Sequence, residues 1–171
     1  LCKFPVLHDA QRHCDVAESS IIIEYLDLHG AVKQPMLPHD AQQALQVRLW
    51  DRVFDNHVQG PMQDIVLDRI LNTHRDMSAA RTALETVYGL IDGQVAQHTW
   101  AATDTFSLAD CAAAPALFYA STLVPFSGQH VHLHAYFERL MARPSVQRVL
   151  EEAKPYFASY PFVEAIPARF R

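Results

Sequence analysis

No run of lysine or arginine occurs anywhere in the 171 residues, and the formal net charge is -5 at neutral pH. An electrostatic grip on nucleic acid or on an anionic membrane depends on clustered basic side chains, so neither partner is expected. Long apolar runs are missing as well. The alanine-rich stretch ending at Ala120 and the triplet Ile21 to Ile23 are the longest, and both fall short of the roughly 20 residues that cross a bilayer. With no signal-peptide shape at the N-terminus, the expectation is a soluble, cytoplasmic protein. Cysteine is scarce: Cys2, Cys14 and Cys111 are odd in number and far apart, with no CxxC pair and no histidine at metal spacing. That usage points to free thiols in a reducing compartment. Among the 10 histidines, His130, His132 and His134 alternate as strand ligands would, yet they run into the helical spacing of Tyr136, Phe137 and Leu140. A zinc site also needs a fourth group placed by the fold, so no metal is expected. Internal repeats and low-complexity tracts are absent too.

What is present is apolar content. Half of the residues are hydrophobic, enough for one large domain or for one domain plus part of another. The chain is organised around Thr103 to Ser121, TDTFSLADCAAAPALFYAS, in which Asp110 is the one carboxylate between Leu108 and Ala120. A helix that is hydrophobic on every face is buried on every side. Ser107 and Asp110 have the spacing of a reciprocal capping box, and Phe106 and Cys111 stand where a hydrophobic staple closes. Losing Asp110 is expected to cost about 1 to 2 kcal/mol. Pro115 removes one hydrogen bond and crowds the carbonyl four residues earlier, which predicts a bend near Cys111.

Before this helix the chain opens with KFPVLHD, strand formers interrupted by Pro5, and a polar turn leads to a second short strand from Cys14 to Ala17. Pro5 cannot donate in a central ladder and implies an edge, a bulge or a cis peptide. A helix then begins at Glu18 or Ser19, turns Ile22, Ile23 and Leu26 inward, and stops at Gly30. Two strands under one helix make a marginal unit, so further sheet is expected beside residues 1–30. Residues 31–39, with Pro35 and Pro38, read as a linker. An all-helical region, 40–171, follows. Asp40 caps a long helix with Val47, Trp50, Phe54 and Val58 on its apolar stripe, widened by Leu49 and Val53. Gly60-Pro61 predicts a kink, beyond which Met62, Ile65, Val66 and Ile70 continue the pattern. Residues 73–76 read as a turn, Met77 to Gln97 as another helix, and two shorter helices flank Arg143-Pro144. Tyr160 to Arg171 reads as an ordered tail on the surface.

KFPVL, ESSIIIEYLD, FSLADCAAAPALFYA and MARPSVQRVLEEAKPYF, in this order and spacing, resemble a cytosolic glutathione transferase of the bacterial type along nearly the whole chain. The resemblance implies a mostly α fold, with a partial thioredoxin-like α/β segment over 1–30 followed by an all-helical C-terminal domain, assembled as a homodimer. It implies that residues 1–30 are the second half of the thioredoxin-like unit. Glutathione is implied as substrate or cofactor. Phe4, held open by Pro5, would offer its backbone to the cysteinyl unit, in the manner of strand addition. Glu18 would meet the γ-glutamyl ammonium. Ser19 and the first-turn N-H groups would meet its carboxylate, because a helix N-terminus attracts anions. Lys3 would pair with the glycyl carboxylate.

In the family a Ser, Tyr or Cys near the start of the first helix stabilises the glutathione thiolate, and no catalytic residue is assigned in this chain. An electrophile would lie against the long helix, with Trp50, Phe54, His57 and Tyr119 either forming an apolar wall or serving as plain core. Arg52 and Asp55 are placed on the surface or at a dimer contact, and Tyr156, Phe157 and Tyr160 over the cleft. The implied activity is attack of the glutathione thiolate on an electrophilic small molecule, in detoxification. The alternative is a non-catalytic scaffold of the same fold that binds protein partners or hydrophobic ligands.

Overall fold

The computed structural model describes residues 4–30 and 34–171. It is mostly helical, with one small sheet at the N-terminus. Strands β1 (Val6–Asp9) and β2 (Cys14–Ala17) pair antiparallel, Val6 opposite Ala17 and Asp9 opposite Cys14. Helix α1 (Ser19–His29) follows directly, and the Gly30 N-H closes its end on the Leu26 carbonyl at 2.7 Å. Ile22 and Ile23 are half-buried as expected, but Leu26 is 43% exposed. Two strands are too narrow a surface to cover the full apolar face of a helix. Asp27 on α1 accepts from the Met36 and Leu37 N-H groups at 2.7 and 3.1 Å, and the Met36 carbonyl accepts from Leu108 at 2.9 Å. The connecting segment is thereby tied at both sides.

Asp40 caps α2 (Ala41–Val53) by accepting from the Gln43 N-H at 2.8 Å. The helix passes through a π-helical turn, Phe54–Gln59, into α3 (Gly60–Leu71). The expected kink is therefore a π turn. Pro61 cannot donate and its ring crowds the His57 carbonyl, and a wider turn just before it absorbs the mismatch. Val47, Trp50, Phe54 and Val58 are buried together, whereas Leu49 is 50% and Ile70 57% exposed. The buried stripe is only as wide as its partner helix, so the outer leucine and isoleucine stay in solvent.

Asn72 ends α3 in the left-handed conformation, with φ 53°. Helix α4 (Ser78–Val95) buries Leu84, Val87, Tyr88, Ile91 and Val95. Helix α5 (Leu108–Leu123) is the central helix. Its capping box is formed, with the Asp110 carboxylate accepting from the Ser107 N-H at 2.9 Å and from its hydroxyl at 3.0 Å. The other carboxylate oxygen accepts from the Ala101 N-H at 2.9 Å and from the Tyr136 hydroxyl at 2.7 Å. Helix α6 (Val131–Ala142) supplies Tyr136, and α7 (Pro144–Ala153) starts on a proline, whose missing N-H is no loss at a first turn. Three short 3-10 turns complete the tail. The tail is not confined to the surface: its own Ile166 is buried, 1% exposed, and its Tyr160 and Phe170 pack on Tyr119 and Phe118 of α5.

Candidate functional site

The hairpin register decides what stands beside the start of α1. Since Val6 faces Ala17, continuing the ladder one step sets Pro5 beside Glu18 at the open end of the hairpin. The Phe4-Pro5 peptide is cis, and Phe4 is 94% exposed. Of the four described residues expected to hold glutathione, Pro5 and Glu18 directly flank the last ladder pair, and Phe4 and Ser19 lie one residue further along each strand. Lys3 lies outside the described residues. Glu18 sits at the N-cap with φ 69°, and its side chain makes no capping bond. Its carboxylate is available for something other than the helix. The Ser19, Ser20 and Ile21 N-H groups are first-turn donors without intrahelical acceptors, since the Glu18 carbonyl takes the Ile22 N-H at 2.9 Å.

Beneath this helix end lies a cleft of about 370 Å³, lined by Ser19 and Ser20 of α1, Asp51 and Asp55 of the long helix, and Cys111 and Pro115 of α5. Its polar floor is one connected network. The Ser20 hydroxyl donates to Asp51 at 3.0 Å, and the Arg52 guanidinium donates to Asp51 and Asp55, both at 2.7 Å, and to the Ser20 oxygen at 2.9 Å. Asp51 is 3% exposed. An acid so deep in an apolar stripe is tolerated because each oxygen has a donor. Burial pushes the Asp55 carboxyl above its ordinary range, and the Arg52 charge opposes that. Arg52 is exposed as expected, and its bond to Ser20 ties α1 to the long helix, whereas Asp55 reaches α1 only through Arg52.

The four residues expected at an electrophile site do not converge. Trp50 and Phe54 are buried core residues, their ring centroids 6.2 Å apart. His57 lines a separate groove of about 730 Å³ against α4. Tyr119 lines a cavity of about 450 Å³ between α5 and α7, whose wall includes Phe106, Phe118, Val146 and Leu150. Burial raises the Tyr119 hydroxyl pKa. Cys111 and Pro115 line both this cavity and the polar cleft. The Cys111 thiol is pushed up to about 11, first by burial and then by the Asp110 charge. It is therefore protonated at neutral pH and a poor nucleophile. Of the tail aromatics, Phe157 lines the apolar cavity, Tyr160 hydrogen-bonds Thr122 at 2.7 Å, and Tyr156 is 74% exposed.

Sequence reasoning missed Ser20, Asp51 and Arg143. An acid inside the stripe Val47, Trp50, Phe54 was a signal for the second of these. Arg143 carried none, because its stacking on Phe106, 3.6 Å from the ring centroid, joins residues far apart in the chain. Among the described residues no three His, Cys, Asp or Glu side chains form a group able to hold a metal. No described helix is long and apolar enough to cross a membrane.

Residues 59–144 match the family described as "Glutathione S-transferase, C-terminal domain". A glutathione S-transferase-like protein of Fusarium, LUC7, is 29% identical over 106 residues, covering 60% of this chain and 48% of its own. Escherichia coli GstB is 23% identical over 152 residues, 85% of this chain and 72% of its own. Two of the first three curated relatives are matched over about half of their length, 48% and 49%. Among solved structures, a glutathione S-transferase of Methylobacillus flagellatus with glutathione bound superposes with a TM-score of 0.68 at 22% identity, covering 85% of this chain and 74% of that one. FzlA of Caulobacter crescentus gives 0.71 at 24% identity, covering 85% and 69%. At these identities the structural likeness speaks for the fold.

Proposed function

We infer the function from one premise: the chain belongs to the glutathione S-transferase family. On that premise it is part of an enzyme that binds glutathione at the open end of the hairpin and directs the thiolate at an apolar electrophile. The sulfur forms a bond to an electrophilic carbon, and the displaced leaving group departs with the electron pair. The observation that supports this most is the hairpin register, whose last pair, Val6 opposite Ala17, is flanked by Pro5 and Glu18, with Ser19 lining a polar cleft.

Each part of the tripeptide has a partner of matching chemistry. The γ-glutamyl carboxylate takes the first-turn N-H groups and the Ser19 hydroxyl, where the helix dipole adds attraction. Its ammonium takes Glu18. The exposed backbone of Phe4 pairs with the cysteinyl unit, and Lys3 completes the reading at the glycyl end. Tyr119, which lines the apolar cavity next to the cleft, is the member of the expected wall that meets an electrophile in this reading. The thiolate-stabilising group is not assigned to this chain: Cys111 is protonated and Cys14 belongs to β2. Exposed Leu45, Leu49, Ile70 and Leu71 along the long helix favour assembly as a homodimer. The setting we propose is cytoplasmic detoxification.

Retention of the full-length product on immobilised glutathione tests the reading. Ser19→Ala is expected to weaken glutathione binding about tenfold, and Glu18→Ala by a similar factor, as for lost charge-assisted hydrogen bonds. Full-length protein that does not bind, with both variants indistinguishable from it, ends the proposal.

A further inference from the structure

We propose that the groove between the first turns of α2 and the C-terminal end of α4 binds a neutral polyhydroxylated ligand, a mono- or disaccharide. The groove has a volume of about 370 Å³ and shares no lining residue with the cleft under α1 or the cavity beside α7. Four glutamines converge on it, Gln42, Gln43 and Gln46 of α2 and Gln94 of α4, faced by His98 and Asp104. Helical spacing gathers the first three. Residues three and four positions apart are neighbours on a helix surface, so Gln42 and Gln43 both flank Gln46 on one side of α2. All three are exposed, and their amide groups carry no hydrogen bond among the described residues; Asp40 takes only the backbone N-H of Gln43.

The opposite wall is fixed in advance. The Gln94 amide donates to the Ala101 carbonyl at 3.0 Å, which leaves its oxygen and its second N-H free. Asp104 accepts from the Thr99 N-H at 3.1 Å through one oxygen, and the other is uncommitted. The Thr103 hydroxyl donates to the Thr105 carbonyl at 2.8 Å, and the Thr103 carbonyl takes the Trp100 N-H at 2.9 Å. A wall already held by its own bonds costs little ordering when a ligand arrives.

The lining selects the chemistry of the occupant. No lysine or arginine lines the groove, so a phosphate or carboxylate finds no charge partner there, and Asp104 repels it. An apolar ligand would strand the amide groups without partners. Each amide offers a donor and an acceptor side by side, and a hydroxyl both gives and receives. A sugar ring carries neighbouring hydroxyls around its edge, and the uncommitted Asp104 oxygen adds a charge-assisted bond to one of them. Ala102, 6% exposed, supplies a small apolar floor for the C-H face of the ring.

The test is a titration of isotopically labelled full-length protein with maltose, followed by NMR through the side-chain amide signals of the glutamines. The Gln42, Gln43 and Gln46 signals are expected to shift saturably, with the midpoint on the order of 1 mM. Glucuronate, a sugar with an added carboxylate, is expected to bind about tenfold more weakly. Gln46→Ala keeps a good helix former at an exposed position and is expected to weaken maltose binding about tenfold. Asp104→Asn keeps an oxygen for the Thr99 N-H and is expected to narrow the gap between maltose and glucuronate. Linear, unsaturated shifts overturn the proposal. So does glucuronate or putrescine that binds as tightly as maltose, a Gln46→Ala protein that binds maltose unchanged, or glutamine signals left unmoved because further polypeptide covers the groove. Gln46→Ala is expected to be retained on immobilised glutathione like the wild type, so this site and the glutathione reading fail separately.

Discussion

The α5 region and the hairpin-α1 region hold their acids in opposite ways. Asp110 is fully buried and satisfied by four donors from three separate segments. Asp9, at the end of β1, is equally well bonded, to the Tyr25 hydroxyl at 2.7 Å and to Gln11 and Arg12, but no residue of α1 or of either strand is buried. The first region is stabilised by packing around a polar knot. The second is held by polar ties at the turn end of the hairpin, opposite the open end where the proposed glutathione chemistry sits. The packed core and the proposed glutathione chemistry are thus centred on different parts of the chain, and each can be perturbed while the other is watched.

The largest effect should come from Asp110→Ala. The loss strands the Tyr136 hydroxyl and the Ala101 and Ser107 N-H groups inside the core, so about 3 kcal/mol of stability is expected to go in urea unfolding, above the loss for a simple cap. A loss no larger than that of an exposed cap would mean that the two regions do not differ as described.

Next in size is a divergence with pH. Hydrogen bonds from Tyr25 and then Arg12 hold the Asp9 carboxyl well below the usual carboxylate range. Its contribution is therefore present above the ordinary carboxylate value, about 4, and is lost as pH falls toward the depressed one. Burial raises the Asp110 carboxyl, against its hydrogen bonds. That contribution is fully present below the ordinary value and declines as pH rises through the raised one. Lowering the pH below about 4 is accordingly expected to loosen β1, β2 and α1, seen as amide protection lost relative to the unfolded chain at the same pH, while leaving α5 protected. Uniform loosening of both regions would erase the contrast.

The smallest effect is chemical. Cys111, pushed up to about 11, should react slowly with iodoacetamide at neutral pH and steadily faster as pH approaches that value. Fast alkylation at neutral pH would show that the wall between cleft and cavity is wetter than its burial implies.

Much of this was legible before any coordinates. The Ser107 and Asp110 spacing, the Val47, Trp50, Phe54, Val58 stripe and the stop at Gly30 are local patterns, and local physics decides them. Glu18 and Ser19 are legible as a helix start, whereas their grouping with Phe4 and Pro5 rests on the family resemblance. Leu26, Leu49 and Ile70 were misjudged because periodicity says which face is apolar but not how wide the covering partner is. Of the residues read as electrophile wall or plain core, Trp50 and Phe54 are core, while His57 and Tyr119 line separate cavities, a division that composition does not reveal.

Amino-acid order alone determined where helices begin and end, which helix is central, and that a small sheet precedes a helical body, since these depend on residues within a turn or two of each other. Only the tertiary structure decided that Tyr136 and Ala101 complete the Asp110 knot, that Arg52 bridges α1 to the long helix, and that Arg143 stacks on Phe106 at the wall of an apolar cavity. The hydrogen bonds among them join residues 9 to 32 positions apart, and nothing short of the packed chain brings them together.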